Sequence, residues 1–292
     1  MTTSGLGVPT LLGIPFDGES SYLRGAGDAP PKIRAALRCD AANTWTELGV
    51  NLGAGAFEDA GDLEIVEQHP ACGVGESSHF WQNQPEVGHP TAKIFAETEE
   101  RVGALIDSGK RPVLLGGDHS ISFPIVRAVA KRNSHLTIFH FDAHPDLYDK
   151  FEGSRLSHAC PFARIMESGV AKRLVQIGIR TATRHQREQA ARFGVEMVEM
   201  RALPRYDKLT AAGPVYVSFD MDVLDPAFAP GVSHREPGGM SVREAIAHLQ
   251  AIDAEIVGAD LVEYNPVQDV AGVTATVAAK ILKEIMGRML GE

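Results

Sequence analysis

The chain has 292 residues, a formal net charge of −10, 44% hydrophobic and 23% charged residues, which suits one large α/β domain over residues 1–292 with a sizeable core. The acid excess speaks against a nucleic-acid surface, and no apolar run approaches the ~20 residues of a membrane span. Cys39, Cys72 and Cys160 have no CxxC spacing, and the N-terminus shows no basic segment followed by an apolar core. Free thiols in a reducing compartment and a cytoplasmic location are therefore expected.

In chain order, residues 10–14 read as a short buried strand, and a Gly-, Ser- and Asp-rich loop follows over 15–29. Pro30 and Pro31 open a helix over 32–37, since proline suits a first turn. Residues 40–90 have many glycines and little periodicity, so loops with one strand near Phe57 are expected. His69, His79 and His89 there match no ligand spacing. Ile94, Phe95, Val102, Leu105 and Ile106 recur as on an amphipathic helix over 91–108, closed by Gly109. A strand at 112–115 ends in GGDHS and a helix over 121–131 follows. A second apolar run, 136–141, ends in DAHPD and leads to a helix from about 158 to 167. Strands at 174–178 and 195–198 flank a helix over 184–193. A strand at 215–219 runs into DMDVLDP, and a helix over 242–249, a strand at 255–259 and a helix over 274–289 complete the chain.

This alternation calls for a parallel sheet covered on both faces, a three-layer α/β/α arrangement. Ligands of such sheets gather beyond the carboxyl ends of the strands. His119, Asp142 and Asp220 each follow a strand, so one sheet edge gathers them with His144, Asp146 and Asp222. A polar loop capping a helix would explain DAHPD alone. Unpaired buried carboxylates are costly, however, and divalent cations offset that cost. Four aspartates and two histidines exceed the needs of one small cation and suit two ions sharing bridging carboxylates. The oxygen-rich set without cysteine favours Mn²⁺ or Mg²⁺, the histidines favour Mn²⁺, and Ni²⁺ stays open. Two ions ~3.5–4 Å apart bring bound water toward a pKa of roughly 7.

GGDHS at 116–120, DAHPD at 142–146, SFDMDVLDP at 218–226 and EYNP at 263–266 together resemble the ureohydrolases, the family of arginases, agmatinases and guanidinobutyrases. The resemblance spans nearly the whole chain and has a plant-arginase character in HSISFPIVRAVA, SHACPFARIME and DPAFAPGVSH. It implies an arginase-like fold, usually in trimers or hexamers, and hydrolysis of a small guanidino substrate, L-arginine first, to urea and an amine. It also implies one Mn²⁺ on His119, Asp142, Asp146 and Asp220, and another on His144, Asp142, Asp220 and Asp222. Asp146 would further hold the attacking oxygen by a hydrogen bond. His158 would carry the proton to the leaving amine, and Glu263 would pair with the guanidinium.

Other positions depart from the family pattern. Val232-Ser233-His234-Arg235 stands where many agmatinases have a Thr-Gly-Thr-Pro-like run. Arg235 reads either as an entrance cation for an arginine carboxylate or as a surface residue. The loop over 147–157, with Ser154, Arg155 and Ser157, is expected to line the substrate tail beside His234. Asp225 is expected to shape its turn, and Cys160 to be a small packed residue. A catalytically silent metal-binding subunit and an agmatinase or other guanidino hydrolase are the alternatives.

Overall fold

The computed structural model describes residues 7–65, 90–203 and 208–291. Cys72, His69, His79 and His89 lie outside the described residues. Eight parallel strands form the main sheet: β1 (Val8–Ile14), β2 (Glu58–Asp62), β3 (Lys110–Gly116), β4 (Thr137–Phe141), β5 (Arg173–Ile179), β6 (Glu196–Glu199), β8 (Val215–Asp220) and β10 (Ile256–Val262). Their order is β2-β1-β3-β10-β8-β4-β5-β6. A separate two-stranded pair, β7 (Leu209–Thr210) and β9 (Ile252–Asp253), was not foreseen, because two-residue strands carry no periodicity.

Alternation along the strands divides the core in two. One face buries Leu11, Val113, Phe139, Val175 and Val217 against α1 (Ala29–Leu37), α6 (Val242–Gln250) and α7 (Val273–Leu290). The other buries Leu12, Leu114, Ile138, Leu174 and Tyr216 against α2 (Pro90–Asp107), α3 (Ser122–Ala130), α4 (Pro161–Ser168) and α5 (Arg184–Phe193). The three-layer α/β/α arrangement is thus present.

Local chemistry sets most boundaries. Pro30 stands in the first turn of α1, and Thr183 and Ser241 close capping boxes at the starts of α5 and α6. Gly169 and Gly194 end α4 and α5 in the left-handed conformation. The helix expected from about 158 starts instead at Pro161, whose fixed φ suits a first turn. His158 consequently sits on the preceding loop.

The four central strands, β3, β10, β8 and β4, are neighbours, and their carboxyl ends carry His119, Glu263, Asp220 and Asp142. Chain order doubles back among these strands, which opens the crevice where parallel sheets bind ligands.

Candidate metal centre

His119 follows β3 and is fully buried. Its Nδ1 lies 3.2 Å from Asp142 Oδ2, 3.2 Å from Asp146 Oδ2 and 3.1 Å from Asp220 Oδ2. Nε2 meets the Ser218 hydroxyl at 3.0 Å, and that hydroxyl donates to Asp260 Oδ1 at 2.7 Å. Ser218 therefore accepts from His119 Nε2–H, which leaves the Nδ1 lone pair aimed among three carboxylates. Nδ1 has no aligned hydrogen-bond partner. A buried nitrogen of this kind facing three acidic oxygens is the donor set of a divalent ion, so the residues fit such a group. Burial alone would lower the His119 pKa. Asp142, Asp146 and Asp220 outweigh it and hold the imidazole well above its usual value, because the pocket draws positive charge.

A second cluster adjoins the first. His144 Nδ1 lies 2.9 Å from Asp222 Oδ2 and 3.5 Å from Asp142 Oδ1, while its Nε2 lies 3.7 Å from Glu236 Oε1. Asp142 thus turns one oxygen to each histidine. Backbone amides fix the carboxylates: His144 N–H donates to Asp142, Ala143 N–H to Asp222 and Asp222 N–H to Asp220. Desolvation first, then Asp222 and Asp142, push the Asp220 carboxyl well above the usual range, because like charges crowd the site.

His158 and Glu263 form the neighbouring unit. His158 Nδ1 lies 3.2 Å from Glu263 Oε1, which also accepts the His119 backbone N–H at 2.9 Å. Burial would lower the His158 pKa, but Glu263 outweighs it and raises it to about 9. Glu263 and Asp146 both adopt positive φ, 62° and 49°, a costly backbone conformation for residues with a side chain. His234 lies between the clusters, its ring centroid 5.9 Å from His144 and stacked on His158 at 5.2 Å.

The other expected contacts divide. Ser154 donates to Glu19 at 3.0 Å, and buried Ser157 accepts from Ala159 N–H. Arg155 forms ion pairs with Asp149 and Glu167. Arg235 donates to the Pro230 carbonyl at 2.8 Å and to Gln268, which is the arrangement of a surface residue. Asp225 accepts from Ala227, Gly238 and Gly239 and so shapes its turn. Buried Cys160 has its thiol pushed up to about 12 by desolvation, the state of a packed, inert thiol.

Other contributors were given no role by the sequence. The Ser21 hydroxyl meets His158 Nε2 at 2.9 Å. Arg180 donates to the carbonyls of Asp222, Val223 and Glu236, and so holds the turn that carries Asp222. Buried Asp118 anchors the loop after β1 by accepting from Glu19 N–H, with its carboxyl raised to about 7 by desolvation and Glu263. His140 donates to Asp142 from inside β4. A signal existed for His140, since it stands between two phenylalanines near the end of the run 136–141.

A buried acidic cradle with histidine nitrogens at the edge of a parallel sheet equips a hydrolase that works through divalent ions. The chain belongs to the arginase family, hydrolases of amidine C–N bonds: the family profile matches residues 9–287. It is 46% identical to the mitochondrial arginase of Medicago truncatula, over 96% of this chain and 81% of that protein. It is 32% identical to the agmatinase of Bacillus subtilis, over 94% of this chain and 90% of that protein. The solved arginase of Medicago truncatula superposes with a TM-score of 0.84 at 42% identity, covering 98% of this chain and 89% of that one. These relatives overturn the expected cytoplasmic location, because the plant arginases are named mitochondrial or chloroplastic. That expectation rested on the missing leader pattern, and such an absence does not decide a compartment. No helix among the described residues is long and apolar enough to cross a membrane.

Proposed function

We propose that this chain hydrolyses L-arginine to L-ornithine and urea at a pair of Mn²⁺ ions. The substrate reading is carried by 46% identity to a protein named arginase across 96% of this chain. In support of two ions, His119 and His144 each face their own carboxylates and share Asp142. His119, Asp142, Asp146 and Asp220 would hold one ion, and His144, Asp142, Asp220 and Asp222 the other. When bound, the ions supply a water acidified toward a pKa of roughly 7, a nucleophile at neutral pH.

The chain's own residues do the rest. Asp146 orients the attacking oxygen by accepting its hydrogen. Glu263 pairs with the guanidinium and fixes its carbon over the ligands, because a delocalised cation is a poor electrophile that requires exact placement. Attack makes a tetrahedral species that collapses to urea only when the leaving nitrogen is protonated, and His158 delivers that proton. His234, between His144 and His158, walls the approach, with Ser154 and Ser157 on the loop beside it. A homo-oligomer, a trimer or hexamer, accords with the family and is measurable by sedimentation.

The agmatinase relative makes agmatine the competing substrate. Urea release from L-arginine, agmatine, 4-guanidinobutyrate and guanidine, measured as kcat/KM with Mn²⁺ present, separates the readings. L-arginine is expected to rank first, and a preference for a carboxylate-free guanidine would refute the substrate assignment.

A further inference from the structure

Just before the carboxyl edge of the sheet, four adjacent strands each place a polar side chain in the buried interior: Asp260 in β10, Ser218 in β8, His140 in β4 and Gln176 in β5. Register sets them in a single row, Asp260 opposite Ser218, Ser218 opposite His140 and His140 opposite Gln176. All four are 0% exposed. Buried polar groups in an apolar core are costly unless hydrogen-bonded. The Asp260–Ser218 half of the row ends on His119, as described above. The other half has had no assignment.

We propose that Gln176 and His140 are a positioning pair that aims Asp142 at the metal centre and so sets how tightly the chain holds its divalent ions. The proposal rests on the dimetal reading given above. Gln176 Nε2 donates to the Pro145 carbonyl at 2.5 Å, which fixes the orientation of the amide, since the opposite one would face two acceptors. The same nitrogen lies 3.0 Å from His140 Nδ1, so Nδ1 accepts and the ring proton sits on Nε2. That proton is directed at Asp142 Oδ2, 2.7 Å away. Oδ2 is the oxygen that also faces His119 Nδ1, and its partner Oδ1 faces His144.

Gln176 reaches the other ligands as well. Pro145 stands between His144 and Asp146, so the amide grips the peptide that carries both. With its two nitrogens engaged and its ring stacked on Phe162 at 3.8 Å, His140 is placed to orient a ligand, not to serve as one. The Gln176 carbonyl oxygen is buried without a partner. An apolar side chain would avoid that cost, so the core alone gives no reason for a glutamine here.

The test is equilibrium dialysis of the full chain against chelator-buffered Mn²⁺, counting ions per chain. Circular dichroism of each metal-free variant checks the fold. Gln176→Met and His140→Phe are expected to need roughly 10–100-fold more free Mn²⁺ for half occupancy than wild type, the usual effect of removing a partner that orients a ligand. His140→Gln returns an N–H donor and is expected to recover most of that loss. Gln176→Met within about twofold of wild type overturns the pair's role. So does a His140→Gln variant as weak as His140→Phe. If Gln176→Met does not fold, His140→Phe decides, because its ring keeps the stack while the donor to Asp142 and the acceptor for Gln176 are both lost. A wild-type chain that takes up no Mn²⁺ would instead refute the metal centre itself.

Discussion

Asp142 turns Oδ2 to His119 and Oδ1 to His144, whereas Asp222 reaches His144 alone. Asp142→Asn is therefore expected to lose metal from both positions and to abolish turnover, and Asp222→Asn to lose less metal. Two full equivalents in an active Asp142→Asn protein would contradict the shared role. His158→Asn is expected to lower kcat by roughly 10²–10⁴-fold with metal content unchanged, the usual worth of a general acid. The same residue has a pH signature in the metal-free chain. Its folded pKa is raised from 6.5 to about 9 despite burial, chiefly by Glu263. The stability from this pair is fully present below pH 6.5 and is lost as pH rises through about 9. The Tm gap between wild type and His158→Asn should thus narrow over that window, and a constant gap would count against the pairing. The eight residues gathered here, His119, Asp142, His144, Asp146, Asp220, Asp222, His158 and Glu263, were singled out in the sequence, because each follows a strand end or a distinctive motif, whereas the contact between His158 and Glu263 was not foreseen. Ser21 and Arg180 were not singled out, since a loop serine and a strand-end arginine look the same whether or not the fold turns them inward.

At the scale of elements, the loop after β3 is held by contact with the loop after β1. Asp118 N–H donates to the Phe16 carbonyl, and Glu19 N–H returns to Asp118. Gly117 makes this approach feasible, for a Cβ there would lie 1.7 Å from the Phe16 carbonyl oxygen. Because that atom belongs to the backbone, Gly117→Ala should cost about 1–3 kcal/mol, the range for overpacking, and displace His119 with it. Chemical denaturation measures the first effect and Mn²⁺ uptake the second; an unchanged midpoint would show the two loops to be independent. Sequence patterning located the seven helices among the described residues and most of their strands, but it could not show that His140, Gln176, Ser218 and Asp260 align. A single polar residue in an apolar run acquires meaning only when register places four of them side by side. Likewise, the place of Arg155 on the loop over 147–157 did not reveal its ion pairs with Asp149 and Glu167.

For the whole molecule, the parallel sheet brings residues from His119 to Glu263 to one edge, and the arginase fold follows from that topology. The alternation of strands and helices was readable, whereas the strand order was not, because chain order does not encode which strands become neighbours. Substrate choice is tested at this scale, where the loops after β1, β4 and β8 meet around His158 and His234. Arg235→Ala is expected to leave the ratio of kcat/KM for arginine over agmatine unchanged within about threefold, as the exposed side chain is turned to Pro230 and Gln268 through Nε and Nη2. A selective loss on arginine would place that guanidinium at the substrate carboxylate. The most direct measurement is urea release from L-arginine by metal-stripped protein as Mn²⁺ is restored, with bound ions counted at each step. Activity that is absent without metal and reaches its maximum as two ions per chain bind is the predicted result. Full urea release from the stripped protein, or none at two bound ions per chain, would contradict it.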